Sequence, residues 1–392
     1  MSEPTLAEAP DPIRLTADLM RCPSVSPDDA GALDLLEGIL SAAGFDCHRI
    51  ERGGVGNLFA RWGSKGHPRS FGFNGHVDVV PPGDPAGWTH PPFAATLVDG
   101  RLWGRGAADM KSGVAAFVTA AVDLVRTAPP DGALLVTVTA DEEGDAVDGT
   151  AAILDWMAQQ GEAMTACLVG EPTCPETLGE MIKIGRRGSL TAKITARGVQ
   201  THAAYPHRGR NPLSALVRLL GRLESRPIDS GTAHFDPSTL AITTIDCGNP
   251  ATNIIPSSAT ATLNVRFNEL HTAADIQAWL RQEADTIAAA TGVEFDIAAR
   301  SSGEAFLTAP GPFTELVAGA IAAETGMAPT LSTSGGTSDA RFIARHCPVV
   351  EFGLVGATMH QADEHVRTED ILALTDVYRR ILQEWFAAGG PR

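Results

Sequence analysis

Two short, unbroken apolar runs, ALLVTVT at residues 133–139 and ACLVG at 166–170, constrain the fold of this chain most. Neither leaves a polar face for water. Each therefore needs cover on both sides, as a parallel strand has between layers of helices. The neighbouring segments supply that cover. Residues 109–126 carry Val114, Phe117, Ala121 and Leu124 on one helical side, and residues 151–159 also read as a helix. Upstream, Asp28 and Asp29 stand where a helix cap is expected, before an apolar face of Leu33, Leu36, Ile39 and Leu40 that Gly44 ends. Residues 57–62 and 70–74 read as further strands. Strands alternating with helices predict an α/β sheet with crossover connections.

The texture changes near residue 188. SLTAKITAR at 189–197 and ATATLNVRF at 259–267 alternate apolar and polar residues, as half-exposed strands do. Helical stretches occupy 212–224 and 273–290. Two such strands and two helices predict a small α+β layer domain over 188–302. From residue 312 the α/β texture resumes, with a helix to 324, a strand at 349–352 and a last helix at 368–386. A chain of 392 residues is long enough for two domains. The organisation expected is one α/β domain, 1–187 plus 303–392, interrupted by the inserted domain.

Composition narrows the function classes. No apolar run approaches the ~20 residues of a membrane span. A net charge of −17 argues against nucleic acid or an anionic membrane as the main partner. The first residues are acidic and lack an apolar leader core, and the six cysteines form no CxxC pair, so a cytoplasmic protein with reduced thiols is expected.

The chemistry gathers where the apolar strands end. His76-Val77-Asp78 follows FGFNG, Asp141-Glu142-Glu143 follows LLVTVTA, and Glu171 follows ACLVG. In open α/β sheets, ligands bind at the carboxyl ends of strands. Asp109 opens the expected helix after a glycine-rich loop, and His360 and His365 lie beyond VVEFG. Imidazole with carboxylate suits a borderline cation such as Zn²⁺, Co²⁺ or Mn²⁺. Asp78, two residues from His76 in extended chain, is placed to orient that ring. Adjacent Glu142 and Glu143 can divide their work at an irregular strand end, one as ligand and one as base. The residues alone leave His360 and His365 as equal candidates.

In combination, GHVDVVP (75–81), GRGAADMK (104–111), DEEG (141–144), GEPT (170–173) and HxxDE (360–364) resemble the dinuclear-zinc M20 metallopeptidase/deacylase family. Further matching stretches are WTHPPF (88–93), GRRGSL (185–190), HAAYPH (202–207), NPLSAL (211–216), TNIIP (252–256) and SGGTSDARF (334–342). The resemblance runs from about residue 12 to the C-terminus. It implies a zinc-hydrolase (aminopeptidase-like) catalytic domain with an inserted dimerisation/lid domain. It also implies two zinc ions, with cobalt as a substitute. Asp109 would bridge them, His76 and Glu171 completing one site and Glu143 and His360 the other. His365 would then be a surface residue. Glu142 would be the general base, Asp78 would orient His76, and the Asp109–Met110 peptide would be cis. His202 of the partner subunit would donate to the oxyanion in a homodimer built through the inserted domain. The implied substrate is a small anionic acylated diamino acid, N-succinyl-LL-2,6-diaminopimelate, with N-acetylornithine and other N-acyl amino acids as alternatives. Arg186 and Arg266 would bind its carboxylates, and Ser189, Tyr205, Asn253, Gly336 and Thr337 would make polar contacts. One position departs: many relatives carry Asn four residues before the metal His, where this chain has Gly356.

Overall fold

In the computed structural model, which describes residues 8–387, Ala133–Thr139 is a strand buried along its whole length. It lies inside an eight-stranded mixed sheet among the described residues. The order is Asp46–Arg52, Val55–Gly63, Ala133–Thr139, Ser70–His76, Ala166–Val169, Val349–Glu351, Met181–Lys183, Thr330–Ser332. Ser70–His76 runs parallel to both Ala133–Thr139 and Ala166–Val169, and Val349–Glu351 continues the parallel run. Helices Ser112–Thr127 and Thr368–Phe386 pack on each other and present Phe117, Tyr378 and Trp385 to the sheet residues Phe71 and Phe73. The Phe73 and Phe117 rings stack with centroids 4.0 Å apart. Truncating a buried Phe of this kind to Ala typically removes about 3–5 kcal/mol.

The chain divides into two compact units. One comprises the chain up to Ile184, Thr308–Ser332 and the chain from Ser338; the other is Gly185–Leu307 with Thr333–Thr337. The main sheet of the second unit has four antiparallel strands among the described residues, where two were expected, in the order Thr239–Asp246, Ser258–Phe267, Gly188–Arg197, Glu294–Gly303. Ala259, Ala261, Leu263, Val265 and Phe267 alternate inward and meet helices Pro212–Glu224 and Ala273–Thr291 through Leu216, Leu219, Leu223, Ile276 and Leu280.

Two local expectations need correction. Asp28 and Asp29 do not cap a helix. Their carboxylates accept from the N–H groups of Ala30 and Gly31, forming a turn, and helix Ala32–Ala42 starts after Gly31 in the left-handed region. The helix expected from residue 109 begins at Ser112, because Asp109 and Met110 have non-helical backbone angles. No helix among the described residues is long and apolar enough to cross a membrane.

Candidate active site

Register explains why distant residues meet. His76 ends its strand level with Thr139, and Asn74 is level with Val169. Three neighbouring parallel strands therefore deliver His76, the 141–143 segment and Glu171 to one edge of the sheet. Glycine permits the close approach behind them: a Cβ at Gly113 would lie 2.6 Å from the Gly170 carbonyl oxygen. Asp109 enters from the loop after Gly106, and its peptide bond to Met110 is cis.

The donor atoms converge in pairs. His76 Nε2 lies 3.2 Å from Asp109 Oδ1 and 3.8 Å from Glu171 Oε1. His360 Nε2 lies 3.2 Å from Asp109 Oδ2 and 2.9 Å from Glu143 Oε1. The two oxygens of Asp109 thus face two different imidazoles. Donor atoms of His76, Glu142 and Glu171, and of His76, Asp109 and Glu143, also fall within 4.8 Å of one another. His365 is not part of the cluster. It is half-buried in strand His365–Arg367 and lies against Trp103, with ring centroids 4.1 Å apart, so it is not the surface residue expected.

Asp78 does more than orient a ring. It is fully buried; its Oδ2 accepts from Ser26 Oγ at 2.5 Å and Glu143 N at 3.1 Å, and its Oδ1 accepts from Glu142 N at 3.2 Å. The nearer partner of His76 Nδ1 is the Asp78 backbone carbonyl at 2.8 Å, with the carboxylate at 3.5 Å. Asp78 therefore fixes the tautomer of His76 and the backbone of both glutamates together.

Burial and charge crowding displace the acid–base equilibria of these groups. Burial raises Glu142 well above the carboxylate range, and Asp339, Glu143 and Asp109 add to the rise against the opposing pull of His76. Burial likewise raises Glu171, with Asp109 and Glu142 reinforcing it. Hydrogen bonds to Asp109 and Glu143 lift His360 to about 10. For Asp109, burial opposes ionisation, but His360 and His76 outweigh it and hold the carboxyl low. Four carboxylates and two imidazoles so arranged suit a pair of divalent cations. One further observation fits: the buried Glu171 Oε1, aimed at the cluster, has no hydrogen-bond partner among the described residues.

The remaining expected site residues fall in the second unit. His202 and Asn253 are adjacent, since Thr201–His202 pairs with Ile254–Ile255 and Ala203 N donates to the Asn253 carbonyl. Ser189 and Arg266 are cross-strand partners, joined through Asn264, which donates to Ser189 Oγ at 3.3 Å and accepts from Arg266 Nε at 2.9 Å. Arg186 donates to the Gly336 carbonyl at 3.2 Å, next to Thr337. Tyr205 is about half exposed under Arg208. Gly356 is in the first unit, where a Cβ would lie 3.3 Å from Met359 Sδ. Sequence reasoning gave no role to Ser26, Asn264, Arg105, Glu364 or Asp339. The last three lie inside matching motifs; nothing local marked the first two.

An α/β scaffold that presents this donor set at the carboxyl ends of its strands defines a metal-dependent hydrolase. Residues 72–384 match the family model described as Peptidase family M20/M25/M40, and the chain belongs to that family. It is 66% identical over 376 residues to the succinyl-diaminopimelate desuccinylase of Cereibacter sphaeroides, covering 96% of this chain and 99% of that protein. It is 63% identical over 377 residues to the corresponding protein of Ruegeria pomeroyi, with coverage of 96% and 99%. Among solved structures, aminopeptidase PepT from Bacillus cereus superposes with a TM-score of 0.78 at 21% identity, over 95% of this chain and 98% of that one. The YXEP protein of Bacillus subtilis, a dinuclear metal-binding peptidase, gives a TM-score of 0.72 at 17% identity, over 94% and 96%.

Proposed function

We propose that this chain hydrolyses the amide of N-succinyl-LL-2,6-diaminopimelate to succinate and LL-2,6-diaminopimelate, a step of lysine and meso-diaminopimelate synthesis in the cytoplasm. The observation that carries the reading is near-full-length identity of 66% to a succinyl-diaminopimelate desuccinylase, in a chain that retains the whole donor set. His76, Glu171 and one oxygen of Asp109 would hold one metal ion; Glu143, His360 and the other oxygen would hold the second. Zinc is the expected metal, with cobalt able to replace it. When bound, the two ions supply Lewis acidity toward the amide carbonyl and the attacking water.

The chain's own groups do the rest. Glu142 takes a proton from the attacking water and returns it to the departing amine. Asp78 keeps Glu142 placed through the bond from its backbone N–H. His202 of the partner subunit donates to the oxyanion in a homodimer formed through the second unit. Arg186 and Arg266 bind carboxylates through their planar forks. Ser189, Tyr205, Asn253, Gly336 and Thr337 complete the polar contacts. Steady-state rates on N-succinyl-LL-2,6-diaminopimelate and N-acetylornithine, at one and two equivalents of zinc, test the reading. Preference for N-acetylornithine, or no turnover of either substrate, would overturn it.

A further inference from the structure

We propose that the buried Arg105–Glu364 pair is a positioning device that holds the shared ligand Asp109 and the ligand His360 at a set separation. The inference rests on the metal-site reading above. Both side chains are nearly or wholly excluded from water, and Arg105 Nη1 donates to Glu364 Oε2 at 2.6 Å. The other Glu364 oxygen accepts from the N–H groups of Ala108 at 2.8 Å and Asp109 at 3.2 Å. The same Nη1 also donates to the Gln361 carbonyl at 3.2 Å, and Nη2 donates to the His360 carbonyl at 3.4 Å. One ion pair thereby ties the backbone of one ligand to that of another, about 250 residues away in sequence.

Such a tie matters most at His360. Its side chain is 47% exposed, so packing does not fix the ring, and its backbone sits in the left-handed region at φ 62°. A non-glycine residue persists there only where its surroundings hold it. Those surroundings are Arg105 on the His360 carbonyl, Thr89 bonded twice at 2.7 Å to the Asp363 carboxylate, and Gly104 N on the Glu364 carbonyl. Trp88 lies over the Arg105 guanidinium at 5.2 Å and fixes its plane. His76 and Glu171 hang from strands of the central sheet, so releasing Arg105 leaves them in place.

Titration of the full-length, chelator-stripped chain with Co²⁺, read by visible absorption, tests the proposal. The wild type should bind two ions in succession. Arg105→Lys keeps a charge beside Glu364 but cannot fork onto the loop carbonyls. Glu364→Gln still accepts from Ala108 and Asp109 but turns an N–H₂ group toward Arg105. In both variants one of the two dissociation constants should rise by about 10-fold or more, with the other within about threefold. Circular dichroism reports which variants fold, and a single folded variant is enough for the comparison. Unchanged binding, or equal weakening at both sites together with a lowered melting temperature, would overturn the positioning role. A wild type that binds fewer than two ions would instead overturn the metal-site reading beneath it.

Discussion

Replacing Asp78 with Asn removes one charge while keeping the shape, and its effect can be worked bond by bond. The carboxylate accepts three hydrogen bonds, from Ser26 Oγ, Glu143 N and Glu142 N. An amide can keep two of them if its oxygen takes the Oδ2 place. Its N–H₂ then faces the Glu142 N–H, a donor against a donor. Losing a bond to a charged acceptor and leaving that buried N–H unpaired costs about 2–3 kcal/mol. The two retained bonds lose their charge assistance, about 1–2 kcal/mol together. Burying a neutral amide rather than an anion returns about 1–2 kcal/mol. The net expectation is a loss of about 2–3 kcal/mol in urea unfolding of the metal-free chain. Because the same carboxylate sets the Glu142–Glu143 backbone, metal affinity should fall about 10–100-fold. Isothermal titration with zinc and a urea curve on the same sample read both. Asp78→Asn with wild-type stability and wild-type metal affinity would refute the reasoning.

Three further outcomes are expected. Glu142→Gln should keep two metals by elemental analysis and lose about 10²–10⁴-fold in kcat, because the amide cannot accept a proton. Asp229 should contribute to the acid stability of the second unit. Burial opposes its ionisation, but the Ser238 hydroxyl, the N–H groups of Gly231 and Ser238, and Asn268 outweigh it and hold it at about 2. A depressed carboxylate stabilises the fold above its unfolded value near 3.8 and loses that contribution as pH falls toward 2. Asp229→Asn should therefore be less stable than wild type at pH 6, with the gap closing between pH 4 and 2 in urea curves. Finally, a His202→Ala chain mixed with a Glu142→Gln chain should regain activity on subunit exchange if His202 acts across the dimer. No recovery at all would place it on its own site.

What could be read from the sequence, and what could not, follows from how far each signal reaches along the chain. Strands 133–139 and 166–170 were legible because a strand buried on both faces leaves an unbroken apolar run. Strands Thr239–Asp246 and Glu294–Gly303 were not. They are the two edge strands of the four-stranded sheet, and within them only Leu240, Ile242, Phe295, Ile297 and Ala299 pack against its core. His76 and Glu171 stood out because each follows a strand directly. The start of the helix after Asp109 was misread for a different reason. Residues 107–111 have helical composition, yet two backbone N–H groups there are bound by Glu364 rather than left to a helix. That partner lies about 255 residues away, beyond any periodicity.

The same distinction sorts the site by function. The six metal-facing residues and Asp78 lie in the first unit, at or just beyond strand ends or in loops tied to them; the eight residues expected to meet the substrate or its oxyanion lie in the second. The proposed metal ligands and the proposed substrate contacts thus belong to different compact units. Substitutions at Arg186 or Arg266 should therefore leave metal affinity near wild type while raising KM. Substitutions at Asp109 should do the reverse, losing metal first and turnover with it. Chemistry set by strand register depends on the parallel sheet of the first unit. The recognition proposed for Ser189 and Arg266, which Asn264 joins, depends on the antiparallel ladder of the second, and substitutions there should leave the metal donors undisturbed.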